Sequence, residues 1–176
     1  MKKKLKILLF FLAILSIGCS KDDSASPAPA VIDISGIWNL TDYHFEGSQR
    51  IIDDLNVTTI NFNASAWDID VVADFSDDNS YHVSGIYNLD ITIIDEDGSI
   101  YYYPRTDIIN ESGTWSRNND FLGITVDDVL RQASIILLND TTLNFVISSN
   151  TNETDENNNN VSVFRTDYYT YTRPSN

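Results

Sequence analysis

Residues 67–94 read WDIDVVADFSDDNSYHVSGIYNLDITII, and the alternation inside this stretch decides the fold. In its first run Trp67, Ile69, Val71, Ala73 and Phe75 share one parity, against Asp68, Asp70, Val72 and Asp74 on the other. In its second run Tyr81, Val83, Gly85, Tyr87, Leu89, Ile91 and Ile93 alternate with His82, Ser84, Ile86, Asn88, Asp90 and Thr92. A two-residue period with one apolar face marks a half-buried strand. The polar Ser76-Asp77-Asp78-Asn79-Ser80 between the runs is a turn, so the pair predicts an antiparallel hairpin. A strand over Ser80–Ile94 would extend roughly 50 Å at about 3.3 Å per residue and has to bend; Gly85 is the natural place.

The same texture continues on both sides. A Ser-Gly-spacer-aromatic unit recurs at SGIWNL (35–40), SGIYNL (84–89) and SGTWSR (112–117), read as strands whose glycine permits curvature while the aromatic fills the inside of the curve. Asp95-Glu96-Asp97-Gly98-Ser99, Asn118-Asn119-Asp120 and Asn139-Asp140 are turn signals, and the polar NTNETDENNNN (150–160) reads as a long hairpin loop. About ten strand segments result: Gly36 to Phe45, Val57 to Phe62, Trp67 to Phe75, Ser80 to Ile94, Ile100 to Tyr103, Thr114 to Ser116, Phe121 to Val126, Ala133 to Leu138, Thr142 to Ser148 and Val161 to Thr172. No convincing helical period appears beyond a single turn over Val126 to Gln132. The fold class is all-β: an antiparallel up-and-down barrel of about 8–10 strands, with a β-sandwich as the alternative.

Upstream, Lys2, Lys3, Lys4 and Lys6 precede an apolar run from Ile7 to Ile17, too short for the roughly 20 residues a spanning helix needs. It reads as a signal peptide over residues 1–18. The only cysteine follows it, and Leu15-Ser16-Ile17-Gly18-Cys19 resembles the lipobox of bacterial lipoproteins, although Ser16 stands where that family usually has Leu. The resemblance implies cleavage before Cys19 and lipid on its sulfur. Residues 19–32, rich in Ser, Ala, Pro and charge, read as a flexible tether, leaving residues 33–176 for one domain. Cys19-Ser20-Lys21-Asp22-Asp23 also resembles the export signal that sends lipoproteins of some Gram-negative bacteria to the exposed face of the outer membrane. Asp23-Ser24-Ala25 resembles the O-glycosylation acceptor of the same bacteria, which makes Ser24 a candidate site.

Four of the eleven basic residues lie in the signal, so the processed chain would keep seven against all 26 acids, a formal charge of −19. Such a surface repels phosphate backbones, so no nucleic-acid partner is expected. It also repels anionic membranes, so attachment should come from the lipid chain. Its ordinary use is to keep a protein soluble and dispersed, which fits a monomer.

The order of motifs is similar to that of lipocalin-like domains found as bacterial lipoproteins. It runs from Gly36-Ile37-Trp38 on the first strand, through Phe75 and Tyr81 around a polar turn and the Ser112–Trp115 strand, to a Leu-containing strand from Thr142 and a last aromatic strand ending in Arg173. The resemblance implies that Trp38 packs across the closed end of the barrel beneath an arginine, Arg165 or Arg173, with Arg173 preferred. It covers roughly residues 33 to 173. Thr-Asp-Tyr, a second lipocalin signature, occurs at Thr41 to Tyr43 and Thr166 to Tyr168, but on the first and last strands instead of in a late loop. The helix that follows classical lipocalin barrels has no counterpart before Asn176.

Chemistry is sparse in this sequence. His44 and His82 are the only histidines, there is no nucleophile elbow or phosphate loop, and Asp53-Asp54, Asp77-Asp78 and Asp127-Asp128 are adjacent pairs that point apart. No acidic turn has the regular spacing of a calcium loop. No catalytic residue, metal site or cofactor is therefore expected. Binding is the better expectation, with Trp38, Trp67, Tyr81, Tyr87, Tyr101 and Trp115 as candidates to line the interior around a small apolar or amphipathic ligand. The same rings can instead fill a solid core, and a glycan-binding or adhesive sandwich would carry its aromatics on an exposed platform.

Overall fold

A computed structural model describes residues 32–53 and 56–175. The signal peptide, most of the tether, the lipidation candidate Cys19 and the glycosylation candidate Ser24 lie outside the described residues. Eight strands follow one another: β1 (Gly36–Asp53), β2 (Asn56–Phe75), β3 (Ser80–Ile94), β4 (Ile100–Asn118), β5 (Phe121–Val126), β6 (Val129–Leu138), β7 (Thr142–Thr154) and β8 (Asn160–Thr172). Each pairs antiparallel with the next, and β8 returns to β1, so the sheet is a closed up-and-down barrel. Closure excludes the sandwich, because it leaves no second sheet.

Two mergers reduce the ten expected segments to eight. Val57–Phe62 and Trp67–Phe75 belong to one strand, β2, joined through a bulge at which Asp68 takes φ 51°. Ile100–Tyr103 and Thr114–Ser116 are the two ends of β4, whose middle is too polar to read as half-buried. The single turn expected over Val126 to Gln132 is a hairpin, with Asp127 and Asp128 both at positive φ (50° and 62°) between β5 and β6.

Gly85 and Gly113 show what the Ser-Gly units do. Gly85 has φ +145° and faces the β2 bulge so closely that a Cβ would strike the Asp70 carbonyl and the Val71 backbone; at Gly113 a Cβ would strike the Thr125 carbonyl. Neighbouring backbones therefore approach where a side chain would hold them apart. Two residues on, Tyr87 and Trp115 stand on the inward register, as does Trp38.

The core fills the end of the barrel where the chain enters and leaves. Trp38, Phe75, Leu122, Leu143, Ala73 and Ala133 are at most 1% exposed. The Trp38 indole N–H donates to the Ile34 carbonyl (2.8 Å), and the Trp115 N–H to the Ser76 carbonyl (3.0 Å). Over this closed end, the Arg173 guanidinium lies 4.2 Å from the Trp38 ring and donates to the Ser35 and Asp33 carbonyls (2.9 Å each). Three of the polar turns are closed by an aspartate that accepts backbone N–H groups: Asp78 from Ser80, Asp97 from Ser99, Asp155 from Asn157 and Asn159.

The outer face of β1 to β3 is largely polar. Glu46, Ser48, Asn61, Asn63, Asp74, His82 and Asp90 point outward along β1 to β3, which breaks up the continuous apolar band a lipid-facing barrel needs.

Candidate functional site

Strand lengths create the site. The β5–β6 hairpin turns back at Val126–Val129, while β4 runs on to Ile100 and β7 to Thr154. β4 pairs with β5 only over Gly113–Asn118, and β6 meets β7 only as far as Ala133 opposite Ile147. Away from the closed end, the barrel wall is therefore low on one side, and the inner face of the remaining strands opens to solvent there.

The register names what lines that face. Tyr43, Phe45 and Gly47 on β1 stand opposite Tyr169, Asp167 and Arg165 on β8, and Phe45 and Gly47 stand opposite Ala64 and Phe62 on β2. On β3 and β4, Tyr87, Leu89, Ile91 and Ile93 stand opposite Asp107, Arg105, Tyr103 and Tyr101. At mid-height the rings form a floor. Tyr43 stacks on Tyr169 (4.9 Å between centroids) and meets Tyr87 edge-on (5.4 Å), and Tyr169 stacks on Phe145 (4.9 Å). Aromatic contacts of this kind add about 0.5–1.5 kcal/mol each to the burial they represent.

Three arginine–carboxylate pairs stand above or beside this floor, all on the inward register. Arg165 donates to Asp167 (2.6 Å) and to the Tyr43 hydroxyl (2.6 Å), Tyr43 donates to Asp167 (2.8 Å), and the guanidinium carbon lies 3.8 Å from the Phe45 ring centroid. Arg105 donates to Asp107 at 2.8 Å, and the Tyr87 hydroxyl approaches the same carboxylate at 3.5 Å. Arg131 of β6 reaches across the top of β5 to Glu111 of β4 at 3.1 Å. The Arg105, Arg131 and Glu111 side chains are 54%, 47% and 36% exposed although they face inward, so solvent enters here.

Burial and charge tune these groups. Burial, then the Asp167 charge, pushes the Tyr43 hydroxyl far up, partly offset by Arg165. Burial pushes Tyr87 up to about 12, with the Asp107 charge acting in the same direction. Burial works against the charge on Arg165, and the Asp167 carboxylate overcomes it, so the guanidinium is held charged. The arrangement offers paired donors and acceptors beside apolar rings: it can orient a ligand with both a polar and an apolar part.

Of the six aromatics expected to line the interior, two reach this face. Tyr87 belongs to the floor, and Tyr101 stands on the overhang of β4, 45% exposed. Trp38, Tyr81 and Trp115 pack into the closed end, where Phe75 meets Tyr81 at 5.2 Å and Trp115 edge-on at 5.7 Å. Trp67 is outside and 52% exposed. The bulge at Asp68 accounts for it: Ala64 and Ala66 face inward before the bulge, Val71, Ala73 and Phe75 after it, and the extra residue changes the parity. The charged members of the site were missed, although their signal was present. Arg165 and Asp167 share a parity with Tyr169 and Tyr171, as Arg105 and Asp107 do with Tyr101 and Tyr103.

The histidines lie elsewhere. His44 contacts Asp42 (3.0 Å) and stacks on Tyr168 (4.7 Å), while His82 contacts Ser112 (2.9 Å), both on the outer face. A shallow depression of about 340 Å³ lies around Gly47, lined by Glu46, Ser48, Asn61, Asn63 and Phe164 among others, and reaches the Phe62 ring. No family model, curated protein or solved structure matches the chain.

Proposed function

We propose that this protein is a lipid-anchored, non-catalytic binding protein of the lipocalin-like type, held at the outer membrane through Cys19 and facing the cell exterior as a monomer. The anchor and the address rest on the leader sequence alone. The binding role rests on one observation: the only low side of the barrel exposes, among the described residues, an inward face that combines the Tyr43–Tyr87–Tyr169 floor with the Arg105–Asp107 and Arg165–Asp167 pairs. A small amphipathic molecule fits this chemistry, its apolar body against Phe45, Phe62 and Ile91 and its polar end among the paired charges. A glycan is the second reading, favoured by Tyr101 and Tyr103, which stand about half exposed (45% and 51%) on the same face and offer rings for sugar stacking.

Fluorescence titration with 8-anilinonaphthalene-1-sulfonate tests the first reading, because that probe carries an apolar ring system and an anionic end. Saturable binding is expected, weakened about tenfold or more in both Arg105→Gln and Phe62→Ala, since losing a charge-assisted hydrogen bond or a buried ring costs roughly 1.5–3 kcal/mol or more. Binding indifferent to both substitutions overturns it. A reproducible mass adduct on the natively purified protein would identify the cargo.

A further inference from the structure

We propose that the free edge of β4, over Ile100–Ser112, takes up an extended basic segment of a partner protein as an added strand. β4 pairs with β3 along its length from Ile100 to Thr114, but with β5 only from Gly113 onward. Along Ile100–Ser112 one side of the backbone therefore has no strand beside it. An antiparallel strand uses both sides, so this edge is a template for strand addition.

Soluble proteins usually blunt such an edge with charged residues, proline or bulges. Here Pro104 interrupts the edge, yet Thr106–Ser112 beyond it is as long as an ordinary strand of about 5–6 residues. The outward side chains of the edge are Ile100, Tyr102, Pro104, Thr106, Ile108, Asn110 and Ser112, and none is charged. Ile100, Tyr102 and Ile108 are 52%, 73% and 80% exposed. Ile108 stands directly opposite Ile86, itself 42% exposed, and the two make an apolar step beside the edge. The charged residues of this edge, Arg105, Asp107 and Glu111, all stand on the inward register and leave the outer approach unguarded.

Charge selects the occupant. The hairpin ends around the opening carry Asp53, Asp95, Glu96, Asp97, Asp127, Asp128, Asp155 and Glu156 without a lysine or arginine among them. A second copy would bring the same acids against these and be repelled, whereas a basic segment is drawn in. The edge borders the low side of the barrel, so a strand added there would also narrow the opening to the small-ligand site; its own contacts are to the β4 backbone and to the outer residues Ile86 and Ile108.

The experiment is hydrogen–deuterium exchange on the full chain in mild detergent, with a Lys–Val alternating peptide of about nine residues as the probe and a Glu–Val peptide of equal length beside it. The Lys–Val peptide should slow amide exchange within Ile100–Ser112 by about tenfold or more, and the effect should fade as salt is added. Ile108→Lys, a change at an exposed position outside the core, should weaken the effect about tenfold by placing a like charge at the edge. Glu96→Lys with Glu156→Lys, at two of the acidic hairpin ends around the opening, should weaken it as well. The proposal is overturned if the Lys–Val peptide protects no β4 amide, if the Glu–Val peptide protects them equally, or if raising the protein concentration alone protects them, which would make a second copy the occupant.

Discussion

Tyr43 concentrates most of the site's chemistry in one side chain. Its ring meets those of Phe45, Tyr87 and Tyr169, and its hydroxyl accepts from Arg165 while donating to Asp167. Holding a phenol so deep fixes it in the neutral form, and Tyr81, Tyr87, Tyr169 and Tyr171 are pushed up by burial in the same way. The sign of the linkage follows. A phenol whose folded pKa lies above the ordinary value near 10 stabilises the fold fully below that pH, and the contribution is lost as pH rises and the unfolded chain alone ionises. Each such tyrosine then removes about 1.4 kcal/mol of stability per pH unit until its folded-state pKa is reached. Urea midpoints measured at about pH 9, 10 and 11 should therefore fall progressively, with phenolate absorbance from these five rings appearing only as the chain unfolds. Tyr87→Phe should make the fall shallower between about pH 10 and 12. A midpoint that stays level over that range would mean the rings are not buried as described.

At the scale of the element, a single residue in β2 decides which side of the barrel a tryptophan occupies. Asp68 sits at φ 51°, a region that aspartate tolerates and β-branched residues resist. Asp68→Val should cost about 1–2 kcal/mol and Asp68→Gly close to nothing, both read from denaturant unfolding. Deleting Asp68 should be far worse, because either Trp67 is driven into the interior or every inward residue on one side of the bulge is turned out. This strand also marks where sequence reading succeeds and stops. Alternation in β3 identified its inward set from Tyr81 to Ile93 in full, since no bulge shifts its parity and its polar and apolar residues keep step apart from Ile86. In β2 the same rule placed Trp67 on the wrong face, because a bulge changes parity without changing composition and Asp68 looks like any other outward acid. In β4 the polar inward residues Arg105, Asp107 and Glu111 hid the middle of a long strand. The candidate site was half legible for the same reason: aromatic residues announce burial, whereas an inward arginine is recognised only once its partner strand and its carboxylate are known.

Across the whole molecule, the arginines are gathered inward, where three of them pair with carboxylates. Of the six arginines, Arg105, Arg117, Arg131 and Arg165 stand on the inward register, Arg173 caps the closed end, and Arg50 alone takes the outward register of a strand. Most acids are left on the outer face and the hairpin ends, with a formal charge of −15 for the full sequence. Such a surface repels itself, and the repulsion acts through water, where salt screens it within about 10 Å at 0.1 M. The best-buried inner pair responds differently: Arg165 and Asp167 are 33% and 11% exposed and touch at 2.6 Å, so ions reach them poorly. Added sodium chloride should therefore remove more repulsion than attraction and raise the melting temperature. A gain of about 1 kcal/mol corresponds to roughly 2–4 °C in a domain of this size, measurable by calorimetry on going from low salt to about 0.5 M. Neutralising exposed acids that accept no hydrogen bond, such as Glu96→Gln with Glu156→Gln, should give part of the same gain at low salt and reduce the response to added salt. A melting temperature that falls with salt would instead show that the attraction within the arginine–carboxylate pairs outweighs the repulsion among the surface acids, and the account of the exterior as a self-repelling acidic shell would have to be abandoned.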